Sequence, residues 1–397
     1  MTETNYDETK VPSYTLPPLL TTENGMAVET AFDWVNRRRP EILRTLQTEL
    51  FGKLPPRPET CGIEVISVKE DALDNTAIRK EIMLTFNNRG RQHSFLMLLY
   101  IPQKVMEPVP VFLGLNFRGN HATTMEQDVR MTGKKYNGEY AETGYGKQES
   151  RWQFKETIRR GYASATVAYN DIFPDDKDEN SWKKSIYHLF CSKESNEEFH
   201  SHGSAISAWA WGLSRMLDAL ENEPLVDTKK AMVHGHSRLG KTALWTGAND
   251  TRFRLVISNN SGCCGASLLR RRFGETLEAI THNFPHWFIS SAKKYVCKEE
   301  LLPFDLHWLV ALSAPRLVCI SSATEDLWAD PKGEFLSGLH ASEVYRLFGV
   351  KGMPTNEMPA ADQPVTGEVS YHLRTGKHDQ QLSDWLHYFE IADKFIR

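Results

Sequence analysis

A short apolar strand that turns at a serine straight into a helix constrains this chain more than any other stretch. Lys230-Ala231-Met232-Val233 reads as the end of a strand, Gly235-His236-Ser237-Arg238-Leu239-Gly240-Lys241 as a turn, and Thr242-Ala243-Leu244-Trp245 as a helix. A serine flanked by small residues between strand and helix has the pattern of a nucleophile elbow. Such a turn strains the serine backbone, and side chains at the glycine positions would collide with it. In return the hydroxyl stands above the sheet edge at a helix N-terminus, where developing negative charge is favoured. The usual spacing is Gly-x-Ser-x-Gly. Here Leu239 holds the second glycine position and Gly240 follows one step later. The alternative reading is a serine that only N-caps a helix.

The rest of the chain has the alternation that such a turn requires. Cys61 to Val68, Ala77 to Phe86 and His93 to Ile101 alternate apolar and polar residues and predict antiparallel strands, with turn chemistry at Asn87-Asn88-Arg89-Gly90. Pro108 to Phe117, Gly161 to Tyr169, Arg254 to Ser258 and Arg316 to Ser321 are apolar runs typical of strands buried on both faces. Amphipathic spacing predicts helices over Ala31 to Phe51, Trp152 to Arg160, within Phe199 to Glu221, and over Gln381 to Ile396. Strands alternating with helices predict an α/β three-layer sandwich around a central, mainly parallel sheet. Residues 1–25 are Pro- and Thr-rich and read as an extended arm, followed by a single domain over 26–397. Residues 122–150 read as a polar insertion over the same face as the elbow, and Asp175-Asp176-Lys177-Asp178-Glu179 as a solvated acidic loop.

Composition narrows the function classes. The net charge of −4 argues against a general nucleic-acid or membrane-surface role. No run reaches the roughly 18–20 apolar residues of a membrane span. None of the six cysteines forms a C-x-x-C pair, and Cys319 reads as a buried small hydrophobe in a strand. No metal or other cofactor is expected, and the protein is expected to be a monomer. Met1 to Lys10 is polar and acidic, unlike a signal peptide, so the chain is either cytoplasmic or has lost a leader.

Two further slots decide between the readings of Ser237. In α/β-hydrolases the order is nucleophile, acid, histidine, with the acid after a later buried strand and the histidine in a loop near the C-terminus. Asp326 or Glu325 follows the strand Arg316 to Ser321, and His378 follows Gly376 before the last helix. The chemistry needs all three, because a serine hydroxyl is a poor nucleophile until an imidazole takes its proton and a carboxylate orients that imidazole. His121, His234 and His236 compete for the same face.

The run Gly235-His236-Ser237-Arg238-Leu239-Gly240-Lys241 resembles the Gly-x-Ser-Arg-x-Gly-Lys signature of glucuronoyl esterases, carbohydrate esterase family 15. Glu325-Asp326-Leu327-Trp328-Ala329-Asp330-Pro331-Lys332-Gly333-Glu334-Phe335 and Arg37-Arg38-Arg39-Pro40-Glu41-Ile42-Leu43 are similar to its bacterial branch. The resemblance covers about residues 25–397 and accounts for the displaced glycine. It implies cleavage of esters between 4-O-methyl-glucuronate on xylan and lignin alcohols, and therefore an exported protein. It implies Ser237 as nucleophile, His378 as base and Arg238 as oxyanion donor through its backbone amide and guanidinium. It also implies Lys241, Glu275 and Trp328 as sugar-binding residues.

One departure stands out. Fungal members carry the acid in a Glu-Ser-Gly run after the strand that follows the elbow. Here that run is Asn260-Ser261-Gly262, and an asparagine cannot stabilise an imidazolium by charge. The acid is then Asp326, with Glu325 as runner-up. Deacetylation of xylan, or carbohydrate binding without catalysis, are the competing readings.

Overall fold

A computed structural model describes residues 3–134, 144–191 and 195–397. Nine strands form one sheet, ordered β1-β2-β3-β5-β4-β6-β7-β8-β9. They are β1 (Thr60–Asp71), β2 (Ala77–Asn88), β3 (Arg91–Pro102), β4 (Val109–Asn116), β5 (Ala163–Ala168), β6 (Val226–His236), β7 (Leu255–Asn259), β8 (Leu317–Ala323) and β9 (Val369–Arg374). β1, β2 and β3 pair antiparallel, and β3 runs antiparallel to β5. From β5 across to β9 every pairing is parallel. The hairpin between β2 and β3 turns through Arg89 and Gly90, both at positive φ (50° and 72°), as a tight hairpin of this twist requires.

Successive strand residues face opposite layers, which is why the central strands are apolar without interruption. Val111, Leu113, Val233, Val256, Val318 and Ile320 pack into the larger core. Their neighbours Phe112, Met232, Leu255, Ile257 and Cys319 pack with Trp385, Tyr388 and Phe389 on the other side. The larger core is built on the helical stretch 31–51 (α1), α2 (Ala205–Leu220) and α3 (Arg238–Asn249). The opposite layer rests on α5 (Leu382–Phe395). Asp218 is the one residue of α2 not buried, as befits a helix apolar on all sides and enclosed by others.

The largest departures from the sequence reading lie in the second half of the chain and after residue 148. β9 and α4 (Pro331–Leu347) have no counterpart among the elements expected from the sequence. The start of α4 carries a legible signal: Asp330 caps it through Gly333 N–H and Pro331 occupies the first turn. The helix expected over Trp152 to Arg160 is broken at Gln153, which is left-handed (φ 46°), into Glu149–Trp152 and Phe154–Arg159. Within the segment 122–150, residues 135–143 lie outside the described residues.

The N-terminal arm is tied to the body along its length, with Pro17 O accepting from His307 and Trp308 and Leu19 O from Arg38. Asn5 O accepts from Gly274 N–H (2.9 Å), and the Glu8 carboxylate bridges Arg271 (2.5 Å) and Lys332 (3.0 Å). Among the described residues no helix is long and apolar enough to cross a membrane, and the six cysteines form no disulfide.

Candidate active site

The parallel strands all end at one edge of the sheet, so the loops after them converge there. Ser237 follows β6 at φ 58°, ψ −128°, a conformation rarely tolerated outside glycine. Its backbone N–H is tied to Asn259 O (2.8 Å), and its carbonyl accepts from Gly240 and Lys241 as α3 begins. The turn is as tight as the sequence demands: a Cβ on Gly235 would lie 2.0 Å from Leu239 O. Leu239, in the usual second glycine position, is buried in the core, while Gly240 is the residue pressed against Asn259, Gly235 and Ser261. The Ser237 side chain makes no capping hydrogen bond to α3, which removes the N-cap reading.

His378 comes from the loop after β9 and Asp326 from the loop after β8. His378 Nδ1 donates to Asp326 Oδ2 at 2.6 Å. A carboxylate only accepts, so this bond puts the proton on Nδ1 and leaves Nε2 able to take one. Asp326 is buried and also accepts from Asn260 Nδ2 (2.8 Å), whereas Glu325 is exposed and its backbone N–H bonds Gly376 O. Ser237 and His378 line the same two cavities, of about 430 and 330 Å³.

The other histidines of this face do different work. His236 is buried, bonds Asn259 Oδ1 (2.6 Å) and lies 4.5 Å, ring to ring, from His378. Burial holds it well below the usual imidazole range, so it packs as a neutral ring beneath His378. His234 is enclosed by Phe112, Trp152 and Trp385, and burial lowers it to about 3. His121 is buried against Tyr145.

The smaller cavity runs from Ser237 past Lys241, Glu275 and Trp328. Lys241 is buried, donates to Ser261 O and lies 4.0 Å from Glu275 Oε2. Burial raises the Glu275 carboxyl above its ordinary value, although Lys241 and a hydrogen bond from the Trp328 side chain oppose it. Glu275 N–H donates to Trp328 O (2.8 Å), which ties the two loops together. Only glycine permits this approach at position 274, where φ is 65° and a Cβ would lie 2.5 Å from the carbonyls of Leu327 and Trp328. Trp328 stays 38% exposed, a ring face available at the rim.

Arg238 is the first residue of α3 and lines both cavities. Its guanidinium stands over the Trp287 ring at 4.7 Å, near Phe284 and Phe117. Its Nη1 donates to Asp175. The sequence reading of 175–179 as a solvated loop is corrected at this residue. The Asp175 side chain is 6% exposed because four donors from three other segments enclose it. Its position after the buried strand β5 puts it at the ligand-binding edge of the sheet, but carries no mark of its enclosure.

The chain is similar to known esterases over nearly its whole length. A family model of fungal glucuronyl esterases matches residues 150–349. Carbohydrate esterase MZ0003, from an unknown prokaryotic organism, is 43% identical over 98% of this chain and 91% of its own length. The chain belongs to carbohydrate esterase family 15. The glucuronoyl esterase from Solibacter usitatus superposes with a TM-score of 0.92 at 42% identity, covering 97% of this chain and 99% of that one. The 4-O-methyl-glucuronoyl methylesterase of Schizophyllum commune is 28% identical over 84% of this chain and 74% of its own. The protein is thus an ester hydrolase of the bacterial branch of this family, with the α/β-hydrolase fold that the sequence pattern predicts.

Proposed function

We propose that the protein cleaves esters joining (4-O-methyl-)glucuronate of glucuronoxylan to lignin alcohols, through an acyl-enzyme on Ser237. The observation that carries this reading is the His378–Asp326 bond of 2.6 Å beside a strained serine, in a cavity shared with Lys241, Glu275 and Trp328. Ser237 Oγ attacks the uronate carbonyl while His378 Nε2 takes its proton. Asp326 holds the imidazole tautomer and stabilises the imidazolium. The carbonyl oxygen becomes an oxyanion, met by the Arg238 backbone N–H and guanidinium. A donor of this kind in a site shielded from water contributes about 3 kcal/mol. Collapse expels the alcohol, which takes the proton back from His378. Water then attacks the acyl-enzyme with His378 again as base, releasing the free uronate.

The small cavity suits a sugar acid: a cation and a carboxyl 4.0 Å apart for hydroxyl groups, and an exposed indole face for the ring. Glu275 raised by burial gains from hydroxyl donors that replace lost water. The substrate lies in plant cell walls, so the protein acts outside the cell, as a monomer. The deciding assay is hydrolysis of a benzyl glucuronate ester, with Ser237→Ala as control. Turnover that vanishes in the control supports the proposal. Cleavage of acetyl xylan in preference to a methyl glucuronate ester would replace it with deacetylation, and failure of Ser237 to react with an organophosphonate would replace it with binding alone.

A further inference from the structure

Asp175 is not among Ser237, His378, Asp326 and Arg238, the residues that the reaction above uses, yet its side chain is enclosed by four donors. One of its oxygens accepts from Arg238 Nη1 and from Tyr169 OH (2.9 Å). The other accepts from His286 Nε2 and Trp287 Nε1, each at 2.7 Å. Its backbone N–H is held by Asn170 Oδ1 (2.9 Å). Four side-chain donors fill the acceptor sites of a carboxylate, so the group has no freedom to turn. Burial works against its charge, but the bond from His286, the Arg238 charge and the bond from Trp287 together hold it well below the usual carboxylate range. It is therefore an anion at any pH at which an imidazole base can work.

We propose that Asp175 is a positioning residue that fixes the Arg238 guanidinium in the direction needed at the oxyanion. This rests on the reading of Arg238 as an oxyanion donor. An arginine on an open helix terminus explores many rotamers, and a substrate would have to freeze it at each turnover. Here the fold freezes it beforehand. Nη1 is anchored, the Nε atom is buried without a hydrogen-bond partner, and three aromatic rings flank the guanidinium within 5.8 Å. The carboxylate subtracts from the positive field at the oxyanion. A guanidinium already aimed gains more than the lost field, because preorganised donors need no rearrangement as charge develops.

A double-mutant cycle tests this, with benzyl glucuronate ester as substrate. Asp175→Asn is expected to lower kcat about 10- to 100-fold with KM within about threefold, since the aimed guanidinium matters only as charge develops. In an Arg238→Ala background the same change is expected to cost less than about twofold, because the group it aims is gone. Losses that multiply in the double variant, or an Asp175→Asn enzyme with undiminished kcat, would overturn the proposal. Full activity in Arg238→Ala alone would instead sink the oxyanion reading on which it rests. Should Asp175→Asn fail to fold, His286→Gln and Tyr169→Phe each loosen the same carboxylate while leaving the rings around Arg238 in place. Each is then expected to lower kcat by severalfold, with the loss disappearing in the Arg238→Ala background. A loss that persists there marks a staple between loops and rules the positioning role out.

Discussion

β7 and β8 lie side by side and end in loops that meet at Asp326, but they carry different chemistry there. The β7 loop presents Asn260, which donates to Asp326; the β8 loop presents Asp326, which accepts from His378. In the fungal pattern that the sequence resembles, the carboxylate sits in the first of these loops. What His378 needs is an anion at Nδ1, not a particular strand of origin. Two adjacent parallel strands, in register at Asn259 and Ser321, bring their following residues within reach of one point. Losing the acid on β7 therefore need not end catalysis, provided β8 supplies it and β7 supplies a donor that steadies it.

The largest effect expected from breaking this comparison is at Asp326. Asp326→Asn should lower kcat by about 10³- to 10⁴-fold, because an amide favours the wrong imidazole tautomer and offers no charge. Glu325→Gln should stay within about twofold, since this side chain is exposed and the residue is held through its backbone N–H to Gly376 O. Steady-state kinetics on the benzyl ester checks both, and a reversed order would transfer the acid to Glu325. Next, Asn260→Asp placed in the Asp326→Asn protein should restore about 10- to 100-fold of the loss, because a charge returns one side chain away from Nδ1. No recovery would mean that the β7 position cannot reach the imidazole in this chain.

Smaller is the effect of Asn260→Ala alone. It removes one hydrogen bond to a buried carboxylate and is expected to cost about tenfold in kcat. Smallest is the effect of Glu334, which ties the β7 loop to the end of β8: it accepts from Ser261 N–H, Gly262 N–H and Ser322 Oγ. Burial raises its carboxyl to about 8, so it stays protonated in the fold while the unfolded chain ionises near 4.5. The unfolded state then binds fewer protons between these values. Glu334 thus contributes stability that is full below about pH 4.5 and lost as pH rises toward 8, at most about 1.4 kcal/mol per pH unit. Glu334→Gln should keep most activity at pH 6 and flatten the fall in melting temperature between pH 5 and pH 8, as read by thermal unfolding across a pH series. An unchanged pH slope would show that Glu334 is ionised in the fold.

Much of this site was legible in the chain because it is written locally. The elbow is a run of adjacent residues whose sizes are dictated by one tight turn, Asp326 occupies the slot expected after a buried strand, and His378 lies in the loop expected before the last helix. The acceptor role of the buried Asp175 was not legible. Its four side-chain partners lie at positions 169, 238, 286 and 287, and nothing in a short acidic tract distinguishes a solvated carboxylate from an enclosed one. β9 escaped notice because Val369–Arg374 mixes Ser, His and Arg with apolar residues, and their burial depends on α5 and on Asp384 beneath them.

The sequence by itself determined the alternation of strand and helix, the tight turn at Ser237 and the loops that carry Asp326 and His378. Periodicity and turn sterics act over a few residues and leave their mark in any window that contains them. Only the tertiary structure decided which of two adjacent carboxylates faces His378, what Asn260 does for it, and what holds Arg238. Those outcomes depend on which side chains remote in the chain exclude water from a charge, and that is a property of the packed interior alone.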